Sequence, residues 1–114
     1  MDIKPLIPEL SVASQIVAAD MPEVARAGYR SVICNRPDGE AADQPTFSEL
    51  VRAALEQGLQ IRYLPAVSGK VTDEPGAAFG QLMAELPKPV LAFCRTGMRS
   101  TTMWALSQAA QMPS

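Results

Sequence analysis

The chain has 114 residues, of which 47% are hydrophobic, so we expect one domain with a packed core. Its net charge of −2 argues against non-specific binding to nucleic acid or to an anionic membrane surface. The chain has no histidine, which excludes Ser-His and Cys-His catalysis and the common zinc sites, so any catalysis must use cysteine, carboxylates, arginine and backbone dipoles.

The first half of the chain alternates between strands and helices. A short strand, ELSVASQI, comes first. Asp20 is then expected to cap a helix, because Glu23 follows three residues later and Pro22 suits the first turn. Gly28 ends this helix. A buried strand, YRSVICN, and a polar loop, RPDGEAADQP, follow.

The second half continues this alternation. Thr46 and Glu49 form a T-x-x-E capping box, and apolar residues between Phe47 and Leu55 recur at helical spacing until Gly58 ends the helix. The remaining elements are a strand in LQIRYLP, a helix that starts at Thr72 or Asp73 and stops at Pro87, an apolar strand in PVLAFC, and a final helix from Met98 to about Gln111.

This alternation predicts an α/β fold with three layers, in which a mostly parallel sheet is flanked by helices. We expect a single domain over residues 1–114, either complete or part of a longer protein. In such sheets the loops at the carboxyl ends of the strands share one edge. The polar segments NRPDGE, AVSGKVTDE and CRTGMRS are therefore expected to meet there.

Cys94 lies where the last strand ends and a helix begins, in the segment LAFCRTGMRSTT. Unpaired N–H groups and the helix dipole favour an anion at such a position and lower the pKa of a thiol. Gly97 lets the loop curl so that its N–H groups converge, and Arg99 can bind an oxyanion bidentately. We therefore expect Cys94 to be a nucleophile and Arg99 to assist it. The expected anion-binding residues are Arg95, Thr96, Gly97, Met98, Ser100 and Thr101.

Other polar residues have a structural and a functional interpretation. A hydroxyl of Ser100 or Thr101 could donate to the sulfur of Cys94, and Arg36 could add positive charge at the mouth of the site. Asp38 fits an ordinary Pro-Asp-Gly turn and Asp73 a helix cap, but either could serve as a general acid. Cys34, within the apolar strand, is expected to be a packing residue.

Several segments resemble a known family: LSVASQI, AGYRSVICNRPDGE, YLPAVSGKVTDE and VLAFCRTGMRSTTMWAL. They are similar to the phosphatase-like domain of bacterial beta-lactamase-hydrolase-like proteins, a group also described as sulfurtransferases and related to dual-specificity, cysteine-dependent phosphatases. The resemblance implies a parallel or mixed sheet flanked by helices, with Cys94 as the nucleophile. It also implies a metallo-beta-lactamase-like partner, fused or separate.

The chain departs from the phosphatase pattern at three points. Phe93 replaces the histidine that precedes the nucleophile. Arg99 follows Cys94 in a C-x4-R spacing, one residue shorter than in phosphatases. Ser68 stands where phosphatases often carry their acidic aspartate. The shorter loop resembles that of rhodaneses, and sulfur transfer needs no strong general acid.

We therefore expect a sulfurtransferase in which Cys94 attacks the outer sulfur of thiosulfate or of a persulfide and becomes a persulfide. The alternative is a phosphatase that forms a phosphocysteine and uses Asp38 or Asp73 as its acid. A third hypothesis is a non-catalytic anion-binding module. In each case the ligand is a small anion, and no metal or cofactor is expected.

The N-terminal segment MDIKPLIPEL is neither basic nor apolar enough for a signal peptide, and no run of residues is long enough for a membrane span. We therefore expect a cytoplasmic location and no membrane partner. Two cysteines in a reducing compartment suggest thiol chemistry or packing rather than a disulfide.

Overall fold

The computed structural model of the protein describes residues 1–67 and 73–111. Within these ranges no helix is long and apolar enough to cross a membrane. The strands are β1 (Ile3–Ile7), β2 (Leu10–Ala13), β3 (Ser31–Cys34), β4 (Gln60–Tyr63) and β5 (Val90–Phe93). The helices are α1 (Met21–Arg26), α2 (Phe47–Glu56), α3 (Asp73–Glu85) and α4 (Met98–Gln111), and a 3-10 turn at Ala18–Asp20 precedes α1.

The strands form one sheet in the order β1-β2-β5-β3-β4. Strands β2, β5, β3 and β4 are parallel, as the alternation of elements predicts, and β1 is antiparallel to β2. Strand β1 was not predicted, because Pro5 and the following Pro8 suggest a loop. Proline is tolerated on an edge strand such as β1, whose pairing with β2 is irregular between Pro5 and Ile7.

The sheet lies between two layers of helices, and its strands alternate their side chains between the two. Val24 of α1 and Leu50 of α2 belong to the apolar cluster on one face, together with Val32 of β3. Phe79 of α3 and Met103 of α4 belong to the cluster on the other face. Helices α3 and α4 approach closely, because a Cβ atom at Gly76 would lie 2.5 Å from the Cβ of Leu106. The predicted three-layer α/β fold is therefore confirmed.

The predicted helix caps are only partly correct. The hydroxyl oxygen of Thr46 accepts the N–H of Glu49 at 3.3 Å, as expected at the start of α2. Asp20 does not cap α1 with its side chain, and its carboxylate instead accepts the N–H of Val17 at 2.9 Å. The 3-10 turn explains this, because it gives Asp20 a helical backbone and directs its side chain back towards the preceding residues.

The carboxyl ends of the four parallel strands lie along one edge of the sheet, as the predicted topology requires. The loop after β4 is described only as far as Val67, so Ser68 and Thr72 lie outside the described residues. The loops after β2, β3 and β5 are described throughout. These four loops contain the residues of the site.

Candidate active site

Cys94 follows β5 directly, and α4 begins four residues later at Met98. The thiol is buried, and the N–H of Gly97 donates to its Sγ at 3.0 Å. Gly97 has a φ of 92°, in the left-handed region that favours glycine, and a Cβ there would lie 3.4 Å from the carbonyl oxygen of Ala13. The loop therefore folds tightly around the sulfur in a conformation that depends on this glycine.

Backbone N–H groups of this loop determine the charge of the sulfur. Burial raises the pKa of Cys94, but hydrogen bonds from backbone N–H groups outweigh the burial, and the pKa is lowered overall. These N–H groups belong to Ser100, Thr96, Gly97 and Arg99. We refer to residues 94–100 as the anion loop, because its donors converge on one negatively charged atom.

Arg99 belongs both to the anion loop and to the first turn of α4, and its side chain is largely buried. Its Nη1 and Nη2 atoms donate to the two carboxylate oxygens of Glu40, at 2.7 Å and 2.9 Å. Nη1 also donates to the carbonyl oxygen of Ala66 at 3.0 Å. The hydrogen bonds to Glu40 raise the pKa of Arg99, and the negative charge of Cys94 and a hydrogen bond to its sulfur add to the rise. Arg99 is therefore a cation held in one orientation beside the sulfur.

Arg36, which was expected at the mouth of the site, contacts Glu40, the partner of Arg99. Its Nε donates to Glu40 at 3.0 Å, and its Nη1 donates to the side-chain oxygen of Gln15 at 3.0 Å. The side chain is almost fully buried. Arg36 thus shares a carboxylate with Arg99, and part of its charge is already compensated before any substrate binds.

The expected hydrogen bond from a hydroxyl group to the sulfur is not found. Ser100 donates its hydroxyl to the side-chain oxygen of Asn35 at 2.8 Å, and Thr101 donates to the carbonyl oxygen of Gly97 at 2.9 Å. Each hydroxyl has one hydrogen to donate, and these partners use it. The prediction of a hydroxyl–sulfur bond was therefore wrong, and Ser100 contributes its backbone N–H instead.

Of the two carboxylates that were expected as a general acid, the structure describes only the side chain of Asp38, which is engaged at the start of α2. One oxygen of Asp38 accepts the N–H of Phe47 at 2.9 Å, at the start of α2, and the backbone N–H of Asp38 donates to the hydroxyl of Tyr63 at 3.0 Å. The structure thus places Asp38 at a helix N-terminus, where its negative charge is favoured. Asp73 begins α3, but its side chain lies outside the part of the chain that is described.

Cys34 differs from Cys94 in its surroundings. Its thiol donates to the carbonyl oxygen of Arg36 at 3.4 Å, and burial raises its pKa to about 11. The thiol is therefore neutral near pH 7, since the pKa lies well above that pH. This agrees with the predicted packing role.

An open cleft of about 1090 Å³ lies beside the anion loop. The exposed side chains of Arg95 and Met98 line it, together with Thr96 and Arg99 of the same loop. Thr102 of α4 and residues from the loops after β2 and β3 complete its lining, the latter being Gln15, Val17, Arg36, Glu40, Ala41, Asp43, Gln44 and Pro45. Such a cleft can admit a small anion together with the group that carries it.

Sequence reasoning missed three residues that hold the site together: Gln15, Asn35 and Glu40. Asn35 and Glu40 fall in the segment NRPDGE, whose sequence indicates only a polar loop and a part of the family resemblance. Their position directly after a buried strand was the available signal. Their partners lie on other loops, so the pairings themselves depend on the tertiary fold.

Known proteins resemble this chain over nearly its whole length. The family model of the phosphatase-like domain of beta-lactamase hydrolase-like proteins matches residues 2–111. The beta-lactamase hydrolase-like protein of Agrobacterium fabrum is 36% identical over 88% of this chain, and that of Xylella fastidiosa strain Temecula1 is 32% identical over 95%. The chain spans only 23% and 25% of the length of these two curated relatives.

Solved structures resemble the fold as well. A candidate phosphatase from Neisseria meningitidis is 33% identical, with a TM-score of 0.90 over 99% of this chain and 81% of that chain. The active form of Tk-PTP is 19% identical, with a TM-score of 0.75 over 98% of this chain and 76% of that one. The catalytic core of the PP-IP phosphatase SIW14 from S. cerevisiae is 12% identical, with a TM-score of 0.72 over 98% and 67%. The last two likenesses concern the fold alone, which is the expected fold, similar to that of cysteine-dependent phosphatases.

Proposed function

The chain belongs to the family of phosphatase-like domains of beta-lactamase hydrolase-like proteins, and from this premise we propose that it is a cysteine-dependent phosphatase. The observation that carries the proposal is the anion loop, in which N–H groups lower the pKa of Cys94 beside Arg99. The family and its structural relatives favour phosphoryl transfer, which was expected from the sequence only as the alternative to sulfur transfer.

In the proposed reaction, the Cys94 thiolate attacks the phosphorus of a phosphate monoester. A sulfur–phosphorus bond forms as the bond to the leaving oxygen breaks, and that oxygen takes the electron pair. The N–H groups of the anion loop and the guanidinium of Arg99 bind the other phosphoryl oxygens, where negative charge gathers. Water then attacks the phosphocysteine, which releases inorganic phosphate and restores the thiolate.

The leaving group determines which esters we expect to react. Glu40 has a lowered pKa because both guanidinium groups donate to it, so it is ionised and has no proton to give. Asp38 is engaged at the start of α2. Neither of these two carboxylates therefore supplies a proton, and an ester whose basic leaving group departs unprotonated loses roughly 10²–10⁴-fold in rate. We therefore propose that aryl phosphates, whose phenolate leaves as a stable anion, are preferred over alkyl phosphates.

Sulfur transfer remains a second candidate, and one specific observation favours it. The C-x4-R spacing gives the anion loop one residue fewer than in phosphatases, so that it encloses less space around the sulfur. In that reaction Cys94 attacks the outer sulfur of thiosulfate, a new S–S bond forms, and sulfite leaves with the electron pair of the broken bond. A thiolate or cyanide then removes the transferred sulfur. This route needs no general acid.

An assay of one protein preparation separates the candidates. Wild-type protein and Cys94→Ser are each given an aryl phosphate, thiosulfate with cyanide, and glutathione persulfide. Rapid acid quenching followed by mass spectrometry then shows whether the protein has gained a phosphoryl group or a sulfur atom. We expect phosphate release and a phosphoryl adduct that Cys94→Ser abolishes. A sulfur adduct without phosphate release would establish the second candidate, and no turnover with any substrate would favour an anion-binding module.

A further inference from the structure

Glu40 connects all four loops at the carboxyl edge of the sheet. It lies in the loop after β3 and binds Arg99 in the loop and helix after β5. Arg99 in turn donates to Ala66, after β4, and Arg36 joins Glu40 to Gln15, after β2. A single carboxylate therefore links segments that are distant in sequence, next to the proposed nucleophile.

The donors of Arg99 can be counted one by one. A guanidinium has five N–H donors, two on Nη1, two on Nη2 and one on Nε. Both Nη1 donors are used, by Glu40 and by the carbonyl of Ala66, and one Nη2 donor is used by Glu40. Within residues 1–67 and 73–111, no oxygen or nitrogen accepts from the Nε donor or the second Nη2 donor of Arg99, and a hydrogen bond from this side chain to the sulfur of Cys94 contributes to the raised pKa of Arg99. These two donors lie on the same edge of the guanidinium, which is an edge that binds oxyanions bidentately.

Glu40 is itself held in place. Its Oε1 accepts from Arg36 as well as from Arg99, at 3.0 Å and 2.9 Å, and its Oε2 accepts from Arg99 at 2.7 Å. The hydrogen bond from Arg36 to Gln15 fixes the far side of this arrangement. The carboxylate is therefore immobilised although 27% of its side chain is exposed.

We propose that Glu40 is a positioning residue, which binds one end of the Arg99 guanidinium and so turns the Nε–Nη2 edge towards an anion at Cys94. This role rests on the proposed function, because it assumes that the anion is a substrate. The orientation of Arg99 is the same whether that anion is a phosphate ester or a sulfur donor. Arg36 and Gln15 act behind Glu40 by holding the carboxylate in its orientation.

A purely electrostatic role of Glu40 predicts the opposite effect on anion binding. Glu40 is also a negative charge in a cleft that must attract anions, so its simplest effect would be to weaken anion binding. Removing the charge should then tighten the binding of an anion. If Glu40 positions Arg99, removing the charge should weaken binding, because the arginine loses its orientation although the cleft has become more positive.

The test measures how inorganic sulfate protects Cys94 from alkylation, which needs no catalytic turnover. Glu40→Gln keeps the size of the side chain but loses one acceptor and the charge. We expect the sulfate concentration for half protection to rise roughly tenfold or more, as for a misplaced binding group. Asp43→Asn is the matched control, because it removes the same charge from the same cleft and Asp43 forms no ion pair with an arginine in the described part of the chain. In Asp43→Asn, protection should need the same or less sulfate.

Two further variants keep the proposal falsifiable if Glu40→Gln is unstable in thermal melts. Glu40→Asp retains a carboxylate and should recover part of the protection, and Gln15→Ala should weaken protection in the same direction but by less. Tighter sulfate binding in Glu40→Gln, matching Asp43→Asn, would overturn the proposal. If the protection data agree but no ester is hydrolysed, the positioning role stands and only the proposed function fails.

Discussion

Cys34 ends β3 and Cys94 directly follows the neighbouring parallel strand β5, yet their thiols have opposite pKa shifts. The Cα of Cys34 is paired with that of Phe93, the residue before Cys94. Cys34 is 3% exposed and Cys94 is 0% exposed, so a difference in contact with solvent does not explain the lower pKa of Cys94. The difference comes from the backbone N–H groups that face Cys94, whereas burial dominates at Cys34.

This contrast predicts selective alkylation. At neutral pH iodoacetamide should modify Cys94 well before Cys34, because the thiolate is the reactive form and the pKa of Cys34 is about 11. Peptide mass spectrometry over time measures both sites in one sample. Titration of the thiolate absorbance should show one midpoint below that of a free thiol. Equal labelling of the two cysteines would contradict the assignment of the nucleophile.

Gly97→Ala should raise the pKa of Cys94 and lower its reactivity. Alanine at a φ of 92° is strained by roughly 1–2 kcal/mol, and relief of this strain by rotation of the backbone should turn the N–H of residue 97 away from the sulfur. Gly58→Ala is the control, since Gly58 has a φ of 75°, has nothing within 4 Å of its Cβ position and lies outside the lining of the cleft. The control should lose stability without changing the thiolate titration.

Ser100→Ala tests whether Ser100 stabilises the thiolate of Cys94 through its backbone N–H or through its hydroxyl group. The substitution leaves the side-chain oxygen of Asn35 without its donor in a buried place, which should cost about 1–3 kcal/mol of stability. The thiolate midpoint of Cys94 should stay near the wild-type value, because the N–H of residue 100 remains. Chemical denaturation and the thiolate titration measure the two effects separately. A large rise in the midpoint would restore the hydroxyl–sulfur bond that the sequence suggested.

The ion pairs of Glu40 predict how stability depends on pH. The hydrogen bonds from Arg99 are the main cause of the lowered pKa of Glu40 in the folded protein. A carboxylate whose pKa is lower when folded stabilises the fold above its unfolded pKa, and this contribution disappears as the pH falls through the folded pKa. The melting temperature of wild type should therefore exceed that of Glu40→Gln near neutral pH. The difference should shrink steadily in acid, and a constant difference would show that the charge is not responsible.

The sequence predicted the parallel strands and the helices because their apolar residues follow regular periods and their caps are local. It also predicted the place of Cys94, since a strand end and a helix start are local features. The sequence did not predict β1, because prolines are unusual in strands other than edge strands. The predicted cap at Asp20 was wrong, because a 3-10 turn before α1 directs its side chain towards Val17. The pairing of Glu40 with Arg99 joins residues 59 positions apart, which no local pattern encodes.

The position of β5 in the sheet affects how the protein is made. Strand β5 lies between β2 and β3, although it is the last of the described strands to leave the ribosome. Until it inserts, β2 and β3 lack a shared neighbour and the anion loop has no strand to anchor it. Both thiols of the nascent chain therefore remain ordinary cysteines, and the reactive thiolate arises only when the sheet closes. At neutral pH the thiol of Cys94 should therefore react more slowly with alkylating agents in the unfolded chain than the thiolate of the closed sheet does.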